Sequence, residues 1–197
     1  MENDATLTIG ENAYALHIIE GTESEKAVDI SSLRKQSKLI TFDDGYGNTG
    51  SCESSVTFID GDKGILRYRG FDIADLATSS NFLETSYLVI YGELPSANEL
   101  DLFKERVYKF AKLPDEVISA IHAQPKNSHP MGVLAAGLQS LGGAYPHYCT
   151  NDRKADLDCF DESAALIIST VRTIAATRHR FLLNEGVPES NPTASYC

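Results

Sequence analysis

No stretch of this sequence stays apolar for the roughly 18 residues that a bilayer-spanning helix needs. The opening Met1-Glu2-Asn3-Asp4 has neither the basic nor the apolar region of a secretory signal. Cysteine is sparse: four residues, at 52, 149, 159 and 197, form no C-x-x-C pair and have no histidine at metal-ligand spacing. That pattern excludes a zinc site and points to reduced thiols in a cytoplasmic, soluble protein. Positive charge is in deficit too, with 17 Lys and Arg against 28 Asp and Glu and a net charge of -11. A chain that repels polyanions is a poor partner for nucleic acid or an acidic membrane. Gly70, Gly132 and Gly137 do not assemble a G-x-G-x-x-G, and no P-loop, H-E-x-x-H or G-x-S-x-G occurs. What is present is ordinary globular material, 42% apolar and 23% charged, in a length that suits one domain or one and a half.

Periodicity divides it. In residues 1–70 the apolar positions recur every second residue. Leu7 and Ile9, then Tyr14, Leu16 and Ile18, share a face across the turn Gly10-Glu11-Asn12, which predicts a β-hairpin. A short segment around Val28 and Ile30 follows, then a strand-like tract, Leu39-Ile40-Thr41-Phe42, running into loop residues 43–48. Ser55–Ile59 and Gly64–Tyr68 flank Asp60-Gly61-Asp62-Lys63 as a second hairpin.

Over 71–197 the period becomes 3.6. A short helix spans Asp72–Ala77. Asn81 caps a helix that stops at Gly92, and Ser96 caps another with Leu100, Phe103, Val107 and Phe110 on one stripe. Pro114 is expected at the first position of the next, with Asp115 and Glu116 complementing its dipole. Pro130–Tyr145 is apolar nearly all round and rich in small residues (Gly132, Ala135, Ala136, Gly137, Ser140), which predicts a buried helix closely approached by its neighbours. The last long helix starts near Asp161, carries Ala164, Ile167, Ile168, Val171, Ile174 and Ala175 on one face, and is stopped by Gly186 and Pro188. The fold class is therefore mainly α, with a small β-rich N-terminal segment. The tract Asn191–Cys197 reads as the entry to a further helix, so the chain is expected to be cut rather than finished.

Candidate chemistry is thin. Asp60-Gly61-Asp62-Lys63-Gly64 invites a calcium-loop reading, but the twelfth position holds Phe71 where a carboxylate is needed, and a hairpin turn explains it better. His129, between Ser128 and Pro130, is read as part of a helix cap. Arg172, Arg178, His179 and Arg180 make the last helix basic near its C-terminus, which suits its dipole without a ligand; a phosphate contact is the rival reading. No catalytic or metal-binding residue is assigned, and the cofactor-binding residues stay undetermined.

Several motifs together resemble a known family. They are Ser51-Cys52-Glu53-Ser54, Thr57–Leu66, Arg69-Gly70-Phe71, Asp75-Leu76-Ala77, Leu83-Glu84, Tyr91-Gly92-Glu93-Leu94-Pro95 and Ser128-His129-Pro130-Met131. In this order and spacing they resemble bacterial citrate synthases of the hexameric type with an extra N-terminal β segment. The resemblance implies a helical enzyme, a homodimer or a homohexamer built of dimers, acting at the entry of the tricarboxylic acid cycle. It condenses acetyl-CoA with oxaloacetate and water to citrate and CoA, and it has no cofactor beyond that CoA substrate. An Asp takes a methyl proton while one His stabilises the enolate and a second polarises the oxaloacetate carbonyl. Those groups lie C-terminal to the position matching Cys197, so this piece is expected to be inert. Family members of this type are often inhibited by NADH. Tyr145 matches a residue of that site, but Leu166 and Thr170 fall where an Arg and a Lys are usual, and Phe110 replaces a His. Lys109, Lys112 and Arg172 are the basic residues able to compensate. The rivals are a 2-methylcitrate synthase and a non-catalytic assembly or regulatory module.

Overall fold

A computed structural model describes residues 4–148, 150–189, 191, 195 and 196. Met1–Asn3, Cys149, Ser190, Pro192–Ala194 and Cys197 lie outside the described residues, and with them most of the tract expected to enter a further helix. Two compact units are present, Met1–Ser55 and Val56–Cys197. The second hairpin thus belongs to the same unit as the long helices.

The first unit is a meander. Strand β1 (Asp4–Ile9) pairs antiparallel with β2 (Asn12–Glu20), Leu7 opposite Tyr14 and Ile9 opposite Asn12, as the alternation requires. β2 in turn pairs with β3 (Lys26–Val28). Of the predicted apolar face only Leu16 is fully buried. Helix α1 (Leu33–Ser37), which five residues of pattern do not reveal, packs buried Leu33 against β2. The strand expected at 39–42 does not form. Ile40 is 72% and Phe42 88% exposed, because among the described residues no neighbouring strand offers this backbone a ladder. The following loop is organised by Asp43 instead. Its carboxylate accepts from the amides of Gly47 and Asn48 and from the Thr49 hydroxyl, and these bonds, Asn48 first, hold its pKa below the usual value.

The second unit opens with the three-stranded sheet β4 (Thr57–Asp60), β5 (Ile65–Tyr68) and β6 (Phe71–Asp72). The β5–β6 turn consists of Arg69 and Gly70, both at positive φ (50° and 87°), the requirement of a type I′ turn. Arginine is an uncommon residue there. Its guanidinium reaches the Val89 carbonyl with Nε at 3.2 Å and Nη2 at 2.9 Å, satisfying one of the open carbonyls at the end of the helix Phe82–Tyr91.

The helices are α2 (Ile73–Ser79), α3 (Phe82–Tyr91), α4 (Ala97–Tyr108), α5 (Asp115–His122), α6 (Pro130–Ala144), α7 (Arg153–Asp158) and α8 (Phe160–Leu182), with a 3-10 turn at Pro146–Tyr148. The predicted caps of α3 and α4 are full capping boxes, Asn81 with Glu84 and Ser96 with Glu99. Pro114 sits one place earlier than expected, as the N-cap of α5. Helix α8 runs against α4, α5 and α6, and their shared core includes Phe103, Val107, Val117, Ile121, Val133 and Ile174.

Two helix faces differ from expectation. Helix α6 is fully buried along one stripe only, Val133, Gly137 and Leu141, while Met131, Gly132 and Ala135 are exposed. In α8 the buried stripe is Ala165, Leu166, Ser169, Thr170, Thr173, Ile174, Thr177 and Arg178. It shares only Ile174 with the predicted apolar face, and Ile167 is 52% exposed. The Ser/Thr-rich side packs inward: the Thr170 hydroxyl donates to Leu166 O at 2.7 Å and that of Thr173 to Ser169 O at 3.3 Å, while Ser169 Oγ and Thr177 Oγ1 are buried without a hydrogen-bond partner among the described residues. A hydroxyl paired to its own helix is cheap to bury. The end of α8 also differs. Asn184, at φ 59°, takes the left-handed position, Glu185 N donates to Arg180 O and Asn184 N to Phe181 O. This is a Schellman closure two residues before Gly186.

Candidate functional site

The residues singled out for regulation converge where the end of α4, the turn after α6 and the start of α8 meet. Phe110 follows α4 and is buried. Tyr145 and Tyr148 set their rings edge-on to it, each at 5.9 Å between centroids. Edge-to-face contact of this kind is favourable beyond the area it covers. The three rings therefore fill one another's space.

Basic groups beside this cluster are engaged. The Lys109 ammonium donates to Glu162 at 2.5 Å and lies 5.1 Å from the Phe110 ring centre. The hydrogen bond it donates to Glu162 is the first cause that raises the Lys109 pKa. Arg106 joins Asp161 at 3.3 Å and Glu162 at 3.4 Å, and Tyr91 donates its hydroxyl to Asp161 at 3.0 Å. The Tyr91 hydroxyl is pushed up to about 12, chiefly by burial and then by that bond to Asp161. Asp161 and Glu162 lie in the first turn of α8, where negative charge suits the dipole. Leu166 and Thr170, the positions expected to bear basic groups, are buried in the core. Lys112 lies exposed beyond α4.

A pocket of about 220 Å³ lies next to this corner, lined by Ala111, Arg172, Thr173, Ala176, Pro188, Glu189 and Asn191. Arg172, one of the lining residues, donates Nη1 to the Tyr196 carbonyl at 3.0 Å.

The other candidates are structural in their contacts. Arg178 is buried and donates to the carbonyls of Gln124, Pro125 and Lys126, clamping the loop after α5. Arg180 pairs with Glu185, and His179 is exposed. His129 is the N-cap of α6, its Nδ1 accepting from Met131 N at 3.3 Å. Asp60 accepts from both the amide and the ammonium of Lys63, closing a hairpin turn. Among the described residues no group of three His, Cys, Asp or Glu side chains could hold a metal ion. The Arg69 and Arg178 clamps and the Tyr91–Asp161 bond, which spans 70 positions, escape sequence reading because neither period nor motif links their partners.

Sequence and fold comparisons agree on a relationship. The sequence model described as citrate synthase, C-terminal domain, matches residues 45–197. The chain belongs to the citrate synthase family. A curated citrate synthase from Corynebacterium glutamicum is 38% identical over 193 residues, covering 98% of this chain but 43% of that relative. The ternary complex of carboxymethyl coenzyme A and oxaloacetate with citrate synthase from Thermoplasma acidophilum has a TM-score of 0.69 at 31% identity, over 77% of this chain and 39% of that one. Citrate synthase from Thermotoga maritima gives 0.65 at 29%, over 79% and 39%. The chain thus spans less than half the length of these relatives. The chain is mainly α with a small N-terminal β region, and the solved structures it is similar to are citrate synthases.

Proposed function

We propose that this chain is the N-terminal part of an enzyme that condenses acetyl-CoA with oxaloacetate and water to citrate and CoA. The observation that carries the reading is the family match over 45–197, supported by the related enzyme solved with a CoA analogue and oxaloacetate. Residues 71–197 are the first part of the helical large domain in this proposal, and 1–70 the β-rich segment before it. No catalytic residue is placed in the chain; the reacting groups are proposed to lie in the part of the enzyme that this chain, at 43% of its curated relative's length, does not span.

Assembly into a homodimer or a hexamer of dimers is part of the proposal. It is supported by the exposed Met131 and Ala135 of α6 and Ile167 of α8, a mixture of small and apolar side chains that suits close helix contact. Free Cys52 and Cys159 support a reducing, cytoplasmic setting.

The test is release of free CoA in the presence of oxaloacetate, with the full-length natural protein and with these 197 residues alone. Turnover by the full-length protein with acetyl-CoA and none by the 197-residue chain is expected. Preference for propionyl-CoA would make it a 2-methylcitrate synthase, and turnover by the short chain would place the chemistry within it.

A further inference from the structure

The first unit, Met1–Ser55, is short of core: among the described residues its fully buried apolar side chains are Leu16 and Leu33 alone. A unit of this size gains stability by covering apolar surface against something outside itself. What it leaves bare is concentrated in one tract. Leu39, Ile40, Phe42 and Tyr46 are all exposed, and Phe42 is the most exposed large apolar side chain described. Just before them stand Arg34, Lys35 and Lys38, three of the four Lys and Arg residues of this unit. These three are exposed and form no ion pair among the described residues. Unpaired cations beside bare apolar side chains, in a chain of net charge -11, supply the charged rim and apolar centre of an interface. The complementary arrangement is on helix α4. Asn98, Asp101, Leu102 and Glu105 share its outer face at helical spacing, and all are exposed. Asp101 meets Lys104 at 3.2 Å in a pair open to solvent, and Glu105 has no ion-pair partner among the described residues.

We propose that residues 34–42 of one copy dock on the outer face of α4 of a second copy, the cations meeting Asp101 and Glu105 and the Ile40 and Phe42 side chains covering Leu102. A second copy is the occupant because it carries an acidic face with an apolar centre, matching the tract in sign and in kind. The contact is heterologous: each copy offers one surface to its neighbour and receives that neighbour's other surface, so repetition closes a ring. The inference rests on the assembly reading above, in which the exposed faces of α6 and α8 build the dimer. This further contact then joins dimers into the hexamer.

The experiment is sedimentation of the full-length natural protein, with CoA release from acetyl-CoA and oxaloacetate as a separate readout. Wild type is expected to sediment as a hexamer that gives way to dimer as salt rises. Arg34→Glu, Lys35→Glu and Lys38→Glu combined should raise the dissociation constant of the dimer-to-hexamer step roughly 100-fold, since like charges then face each other. Phe42→Ser should weaken the same step, and so should Asp101→Lys with Glu105→Lys. Joining the α4 pair to the triple variant should restore the hexamer, because the charges are then exchanged across the contact. Dimers that keep the wild-type melting temperature show that the loss is not unfolding. An unchanged hexamer in the triple variant overturns the docking and leaves the tract to be covered by the rest of its own chain. Loss in both charge variants without restoration overturns the pairing with α4, and a wild type that never exceeds a dimer overturns the contact altogether. A protein that assembles as described but releases no CoA refutes the proposed reaction and leaves the contact standing.

Discussion

Gly137 shows what one residue can decide. A Cβ placed there would meet Ile174 Cγ2 at 2.9 Å, closer than real contacts allow, and Cδ1 at a tight 3.3 Å. Ile174 is buried and β-branched, so it has little freedom to move aside. Helix α6 approaches α8 this closely because position 137 has no side chain. Gly137→Leu in the full-length protein should therefore overpack the contact and cost about 1–3 kcal/mol. Urea denaturation measures it, and a midpoint equal to wild type would show that the two helices separate at no cost. By contrast Gly132, on the same helix, faces open space in this chain, so small size alone does not mark a close approach.

At the scale of elements, α3, α4 and α8 are tied by Tyr91, Arg106 and Asp161. Tyr91 ionises near 12 in the fold, raised first by burial, against about 10 in an unfolded chain. The protonated form is the one the fold favours. Its stabilising contribution is thus fully present below pH 10 and is lost as the pH rises from 10 toward 12. Urea midpoints measured at pH 8, 10 and 11 should fall across that window, and Tyr91→Phe should flatten the part of the fall that this group causes. An identical alkaline slope in the variant would remove Tyr91 from the account. The elements themselves were largely readable, because Asn81 with Glu84, Ser96 with Glu99, and His129 before Pro130 each complete a cap within four residues. The exceptions are short: α1, β6 and α7 are too brief to display a period.

For the whole molecule, the regulatory expectation gains a physical basis. A dinucleotide pyrophosphate needs positive charge or open backbone amides. Here Leu166 and Thr170 are core residues, Lys109 is held by Glu162, and Arg172 is held by the Tyr196 carbonyl. The net charge of -11 adds a repulsive field. NADH is accordingly expected not to inhibit the full-length enzyme appreciably. The measurement is the initial rate at subsaturating acetyl-CoA over an NADH titration, at low and high salt. Strong, salt-sensitive inhibition would mean that Lys112 or a released Lys109 rebuilds the site.

The sequence by itself determined the two hairpins and the longer helices, most of their caps, and the family motifs, since each is satisfied by neighbours a few residues away. It did not decide which side of α8 faces inward. That helix has an aliphatic side and a Ser/Thr side, and only packing against α4, α5 and α6 chose the second, where the Thr170 and Thr173 hydroxyls bond to their own helix. Nor did it decide the fate of Leu39–Phe42, whose strand character needs a neighbouring strand that the described chain does not supply. Arg69 on α3, Arg178 on the loop after α5 and Tyr196 on Phe82 likewise belong to tertiary structure alone. Their partners lie far along the chain, and a polar or aromatic side chain carries no periodic signal that names a distant carbonyl or ring.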